Sequence, residues 1–254
     1  MTTIAALRPR LDDRAPHVRL GIAWAAVVVL ALTVGTLATA VAFAAVALGA
    51  AGQACRAWRR EGRKPYRPVA IAGAVLMCLG AAAGPVAVTA AAIVTGVASF
   101  AASHLRLGQR DWDAVLTASI ALVVGIAGAS VPLARAEVGV TAALVLATSV
   151  FAAEASWYVI GSGSRRWFEA PAAAVVAVAA VSIAVAAVLV PPFRGASPWV
   201  LGATALVLAP LGPYFASAIL PASTAFAPAL RRIDGFALVG PVWVLLASAM
   251  LDLR

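Results

Sequence analysis

Long apolar stretches separated by short polar punctuation make up nearly the whole chain. Leu20 to Ala54 carries no charged residue and is too long for one crossing, so it predicts a helical hairpin that turns near Gly35 and Thr36. A dense basic segment, Arg56 to Arg67, follows, and Pro68 to Ala102 predicts a second hairpin broken around Gly80 to Pro85. Beyond a polar loop from Arg106 to Asp113, further apolar runs predict crossings at about Ala114 to Leu133, Val138 to Ile160, Pro171 to Val190, Pro198 to Leu220 and Phe236 to Leu251. The pattern is that of an all-α integral membrane protein with about nine transmembrane helices. Residues 1–19 read as a cytoplasmic tail leading into an uncleaved first helix, and 20–254 as one polytopic membrane domain.

Composition agrees with the pattern and narrows it. The 254 residues are 63% hydrophobic and 11% charged, with a mean hydropathy of +0.99, whereas a soluble domain carries about 25% charged residues. No room is left for a large extramembrane catalytic domain, so any chemistry belongs at a membrane rim or inside the bundle. A net charge of +9 would point to nucleic acid in a soluble chain. Here its placement points to topology instead, and no nucleic-acid partner is expected. With the N-terminus inside and nine crossings, sixteen of the nineteen basic residues fall on the cytoplasmic side, leaving Arg135, Arg194 and Arg254 outside with the C-terminus. Attraction of the basic loops to anionic lipid is a secondary consequence. The Ala, Val and Arg usage suits a GC-rich bacterium, so the expected location is its inner (cell) membrane. Cys55 and Cys78 lie at the end of and inside apolar runs and read as small core residues rather than a disulfide. No internal repeat is visible, which disfavours a transporter built from two related halves.

Polar side chains concentrate toward the cytoplasmic ends of the last four predicted crossings. Glu154, Trp157 and Tyr158 end one; Arg165, Arg166, Trp167, Phe168 and Glu169 fill the next loop; Tyr214 and Ser217 fall late in another; Arg231, Arg232 and Asp234 precede the last. Arginines at a membrane rim can hold phosphate in a bidentate grip, and carboxylates there can hold a divalent cation that bridges phosphates. In these last hundred residues the chain resembles the phosphatidate cytidylyltransferases (CDP-diacylglycerol synthases), which make CDP-diacylglycerol from CTP and phosphatidate. Leu230, Arg231, Arg232, Ile233, Asp234 and Gly235, followed by Pro241 and Val242, are similar to the family's L-D-R-I-D-G/S and the Pro-Val helix after it. Ser164 to Ala170 is similar to S-x-K-K-T-W-E-G, Glu154 to Tyr158 to D-T-x-A-Y, and Gly212 to Ser217 to G-D-x-x-E-S, in the family's order.

The resemblance implies a cytidylyltransferase-like bundle, 1–153 supplying N-terminal helices and 154–254 the site region. It implies CTP, Mg²⁺ and phosphatidate or another anionic membrane lipid as ligands. Its phosphate or headgroup-binding positions fall on Glu154, Arg165, Arg166, Glu169, Ser217, Arg231 and Arg232, and its metal position on Asp234. Pro213, Ala216 and Arg231 stand where the family has carboxylates, and the stretch between Ser217 and Asp234 is short of the family's. Two-metal sites act by neutralising the attacking and leaving oxygens, and one guanidinium does not reproduce a divalent bridge. The expectation is therefore a phospholipid-metabolism relative that binds a lipid headgroup without turnover. One alternative is an active enzyme with a rearranged site, and a second is a small transporter; an oligomer stays open.

Each of these residues also has a plainer reading. Paired arginines in cytoplasmic loops are what topology demands. Glu154 can reach the interface or pair with Arg165 or Arg166, although an acid bordering hydrocarbon is a functional candidate by default. Asp234 can cap the last helix. Trp157, Tyr158, Trp167 and Phe168 suit an aromatic belt, and Pro210, Pro213 and Pro221 suit helix kinks. Arg106, Gln109, Arg110, Asp111 and Asp113 read as a solvated loop without function, and His17 and His104 have no partner at metal-ligand spacing.

Overall fold

The computed structural model describes residues 16–105, 111–161, 168–190, 192–222 and 225–251, and among them every regular element is helical. The helices are α1 (Pro16–Val34), α2 (Thr36–Arg60), α3 (Arg67–Gly80), α4 (Pro85–His104), α5 (Asp111–Glu137), α6 (Val140–Gly161), α7 (Glu169–Val188), α8 (Ser197–Leu208), α9 (Gly212–Ser217) and α10 (Phe236–Met250). Short 3-10 turns follow α3 (Ala81–Ala83), join α8 to α9 (Ala209–Leu211) and precede α10 (Leu230–Arg232). Among the described residues, seven helical stretches are long and apolar enough to cross a membrane, and Leu20–Val34 and Arg67–Ala83 are shorter apolar helices. The protein is an all-α membrane fold.

Helix ends fall where small residues and prolines dictate. The first hairpin turns at Gly35 and the second at Gly84, whose φ of 102° lies in the left-handed region that favours glycine. Pro85 then opens α4, where a missing N–H is no loss. Of the basic segment, Arg56, Arg59 and Arg60 belong to the last turns of α2. Cations suit this helix end, because they complement the unsatisfied carbonyls. The loop after it is tethered as well. Asp113 is buried in the first turn of α5 and accepts the Lys64 N–H at 3.1 Å, and Thr117 Oγ1 accepts the Tyr66 N–H at 2.8 Å. Asp113 is thus a structural acceptor, not a solvated loop residue. Arg106, Gln109 and Arg110 lie outside the described residues.

Helix α5 is the central post, packed against α2, α3, α4, α6 and α10 and buried along most of its length. Its small residues permit that crowding: a Cβ on Gly125 or Gly128 would collide with Met77 or Cys78 of α3, and one on Gly240 of α10 with Ser130 of α5. Close backbone approach through small residues is the usual device where lipid tails give helices no hydrophobic reason to associate. Cys55 and Cys78 are both free and buried, as expected of core residues. The periphery is the reverse. Val86, Ile93 and Val97 of α4, and Val176, Ile183 and Val188 of α7, form exposed apolar faces that suit hydrocarbon and not water.

The one crossing expected from Pro198 to Leu220 is built from α8, a 3-10 turn and the short α9, a continuous helical stretch over Ser197–Ser217 with Pro210 in the 3-10 turn and Pro213 in α9. Irregular stretches over 218–222 and 225–229 and the turn Leu230–Arg232 then lead into α10. That segment is not a surface loop throughout: Ile219, Leu220, Ala227, Leu230, Ile233 and Asp234 are all buried.

Candidate functional site

The irregular segment before α10 gathers most of the polar residues that the sequence singled out. Arg231 Nη1 donates to Asp234 Oδ2 and to Ser217 Oγ, each at 3.0 Å, and to the Pro213 carbonyl at 3.3 Å. Ser217 Oγ donates to the same carbonyl at 2.6 Å. The Asp234 side chain is 3% exposed and that of Arg231 26%, so a sealed carboxylate fixes a cation that still meets its surroundings. Asp234 therefore does not cap α10; its carboxylate turns back to Arg231, three residues earlier.

Glu154 approaches from α6. Its Oε1 is buried, faces the Gly235 backbone and lacks a hydrogen bond of good geometry, while Arg232 and Asp234 both lie within electrostatic range. A carboxylate opposite the start of α10 complements the positive end of that helix. Among the described residues the cluster thus joins two carboxylates to two guanidiniums. Aromatic rings line its inner side: Trp24 packs on Phe43, Phe43 on Phe236, and Phe236 on Phe151, edge to face at 5.2, 5.8 and 5.9 Å. Trp157, expected in an aromatic belt, pairs with Tyr214 at 5.7 Å.

Three residues of the first hairpin hold this segment, and sequence reasoning passed over them. Trp24 Nε1 donates to the Arg232 carbonyl at 3.1 Å, Trp58 Nε1 to the Ile219 carbonyl at 2.8 Å, and Gln53 Oε1 accepts the Ala229 N–H at 2.9 Å. Irregular backbone is tolerated at membrane depth only where protein groups satisfy it. A sequence signal existed, since Gln53 is the one amide side chain in the apolar run from Leu20 to Ala54. Trp24→Phe keeps the ring and removes the donor, so it is expected to lower stability by about 1 kcal/mol; an unfolding midpoint equal to that of the parent would contradict the clamp.

Gly21, near the start of α1, lies against Arg232 Nη1, and Gly49 of α2 lies against Ala229. Arg231 Nη1 meets Ser217, two residues before the Ile219 carbonyl that Trp58 holds, so this end of the cluster stands beside the turns of α2 that carry arginines.

The chain matches no protein-family model, no curated protein and no solved structure.

Of the remaining predicted site residues, Glu169 is the one described. Glu169 is in the first turn of α7, where its charge complements the helix start, and it takes no part in the bonds above. Arg165 and Arg166, with Trp167, lie outside the described residues, as does the side chain of Tyr158. The donor set around Asp234 does not fit Mg²⁺, which favours about six oxygen ligands in near-ideal octahedral geometry. Asp234 Oδ2 faces a guanidinium, and no group of three or more His, Cys, Asp or Glu side chains with metal-site geometry occurs among the described residues. What the arrangement offers chemically is an oriented cation flanked by hydroxyl and carboxylate acceptors.

Proposed function

We propose that this chain is a multi-pass protein of a bacterial inner membrane whose terminal polar cluster binds the phosphate headgroup of an anionic lipid without turning it over. The observation that carries this reading is the Arg231 guanidinium, partly exposed yet held by Asp234, Ser217 and the Pro213 carbonyl. A cation fixed in this way meets an anionic headgroup with little ordering left to do, and guanidinium geometry matches phosphate. The resemblance to the cytidylyltransferases supports the lipid class, phosphatidate or a related anionic lipid. The ion pair at Asp234 supports binding over Mg²⁺-dependent cytidylyl transfer, because the carboxylate that a metal needs already faces a cation. The seven long apolar helices and the two shorter ones together support nine crossings, with the N-terminus in the cytoplasm and the C-terminus outside.

The test uses the full chain in nanodiscs with labelled CTP, phosphatidate and Mg²⁺. No CDP-diacylglycerol is expected above the background of an Arg231→Ala, Arg232→Ala double variant. Native mass spectrometry is expected to show retention of phosphatidate over phosphatidylcholine, weakened at least about tenfold in the double variant, as loss of charge-assisted phosphate contacts implies. Product formation would make the protein an active transferase, and equal retention of both lipids would end the headgroup reading. A small transporter is the second reading, favoured by the 3-10 turn within the α8–α9 passage beside intramembrane charges. Phosphate-ester flux across proteoliposomes would select it.

A further inference from the structure

Gly49 and Gln53 form a stripe of α2 against Ala229: Gly49 packs on it, and Gln53 accepts its N–H. Continuing that stripe at helical spacing brings Arg56 and Arg60, both exposed, within 60° of Gln53 around the axis at about 100° per residue. Arg59, also exposed and carrying the same charge, lies about 120° away from Gln53 and so leaves the stripe. Trp58 Nε1 binds the Ile219 carbonyl, so the irregular segment runs beside α2 up to the turns that carry these arginines.

We propose that Arg56 and Arg60 form a basic track along which a phosphate-bearing lipid headgroup passes from the membrane surface to the Arg231 and Arg232 cluster. The proposal rests on the headgroup reading and deepens it by adding residues of the first hairpin to the binding surface. Its physical basis is hydration. A headgroup phosphate that left water for the partly buried cluster would lose hydration with no compensation on the way. Cations spaced one turn apart on α2 replace that hydration stepwise. Simple attraction of a basic helix end to an anionic leaflet predicts something different, equal effects from all three arginines.

The experiment compares Arg56→Gln, Arg60→Gln and Arg59→Gln in the full chain, each removing one exposed charge from the same helix end. Native mass spectrometry reads the retention of phosphatidate relative to phosphatidylcholine, with thermal unfolding as a control that each variant is folded. The on-stripe variants are each expected to lower the ratio about fivefold and Arg59→Gln to leave it unchanged, on the basis of about 1 kcal/mol per basic residue near anionic lipid. Equal losses in all three would overturn the track while leaving the headgroup site standing. No preference for phosphatidate in the parent would overturn both. Soluble glycerol phosphate binding with the same affinity and the same dependence on Arg56 and Arg60 would overturn the lipid as occupant.

Discussion

Gly212→Ala is expected to destabilise the protein by about 3 kcal/mol, the upper end of ordinary overpacking. The backbone at Gly212 is plain right-handed helix, so any residue could adopt it. The constraint is space. An added methyl would overlap the Asp234 carbonyl and stand 2.8 Å from Gly235 Cα and 3.0 Å from the Gly235 carbonyl oxygen. All three are backbone atoms, held between the Arg231–Asp234 pair and the start of α10, and they cannot swing aside as a flexible side chain does. Relief requires moving the segment itself, which should also loosen the cluster. Gly96→Ala in α4 is the control, because nothing lies within 4 Å of its would-be Cβ; there alanine should be neutral or stabilising by up to about 1 kcal/mol. Denaturant unfolding in detergent distinguishes the two, and a Gly212→Ala protein as stable as its parent would refute the close approach.

Asp234→Ala is expected to lower stability by about 2–3 kcal/mol. Removing one partner of a buried pair leaves the other charge uncompensated, about 3–5 kcal/mol when both are sealed. Arg231 is 26% exposed, so part of that is recovered by screening. Asp234→Asn, which keeps an acceptor for Nη1, should fall between parent and alanine. Adding Arg231→Met to Asp234→Ala should restore much of the loss, since an apolar side chain has no charge to strand. If the double variant is no more stable than Asp234→Ala alone, the cost lies elsewhere than in the orphaned guanidinium.

Much of the fold was legible because the bilayer imposes a simple rule on sequence. The turn at Gly35, the break at Gly80 to Pro85 and the start of α10 at Phe236 were all marked by uncharged runs and their punctuation. The candidate site was half legible. Glu154, Ser217, Arg231, Arg232 and Asp234 stood out as polar groups in apolar surroundings, and they come together in space. Which group meets which was not legible: a helix cap for Asp234 and a solvated loop for Asp113 both gave way to tertiary hydrogen bonds. Nor was the part played by the first hairpin, since Trp24 and Gln53 reach partners 208 and 176 residues away.

By itself, then, the sequence determined a helical membrane protein and the residues to watch, because hydrophobic burial is set by local composition and a helix satisfies its own backbone. Only the tertiary structure decided that the segment before α10 is irregular yet partly buried, and that α1 and α2 supply its missing hydrogen bonds. Those bonds depend on where distant helices happen to cross. No local pattern encodes such a crossing, and it is the crossing that makes a site from scattered charges.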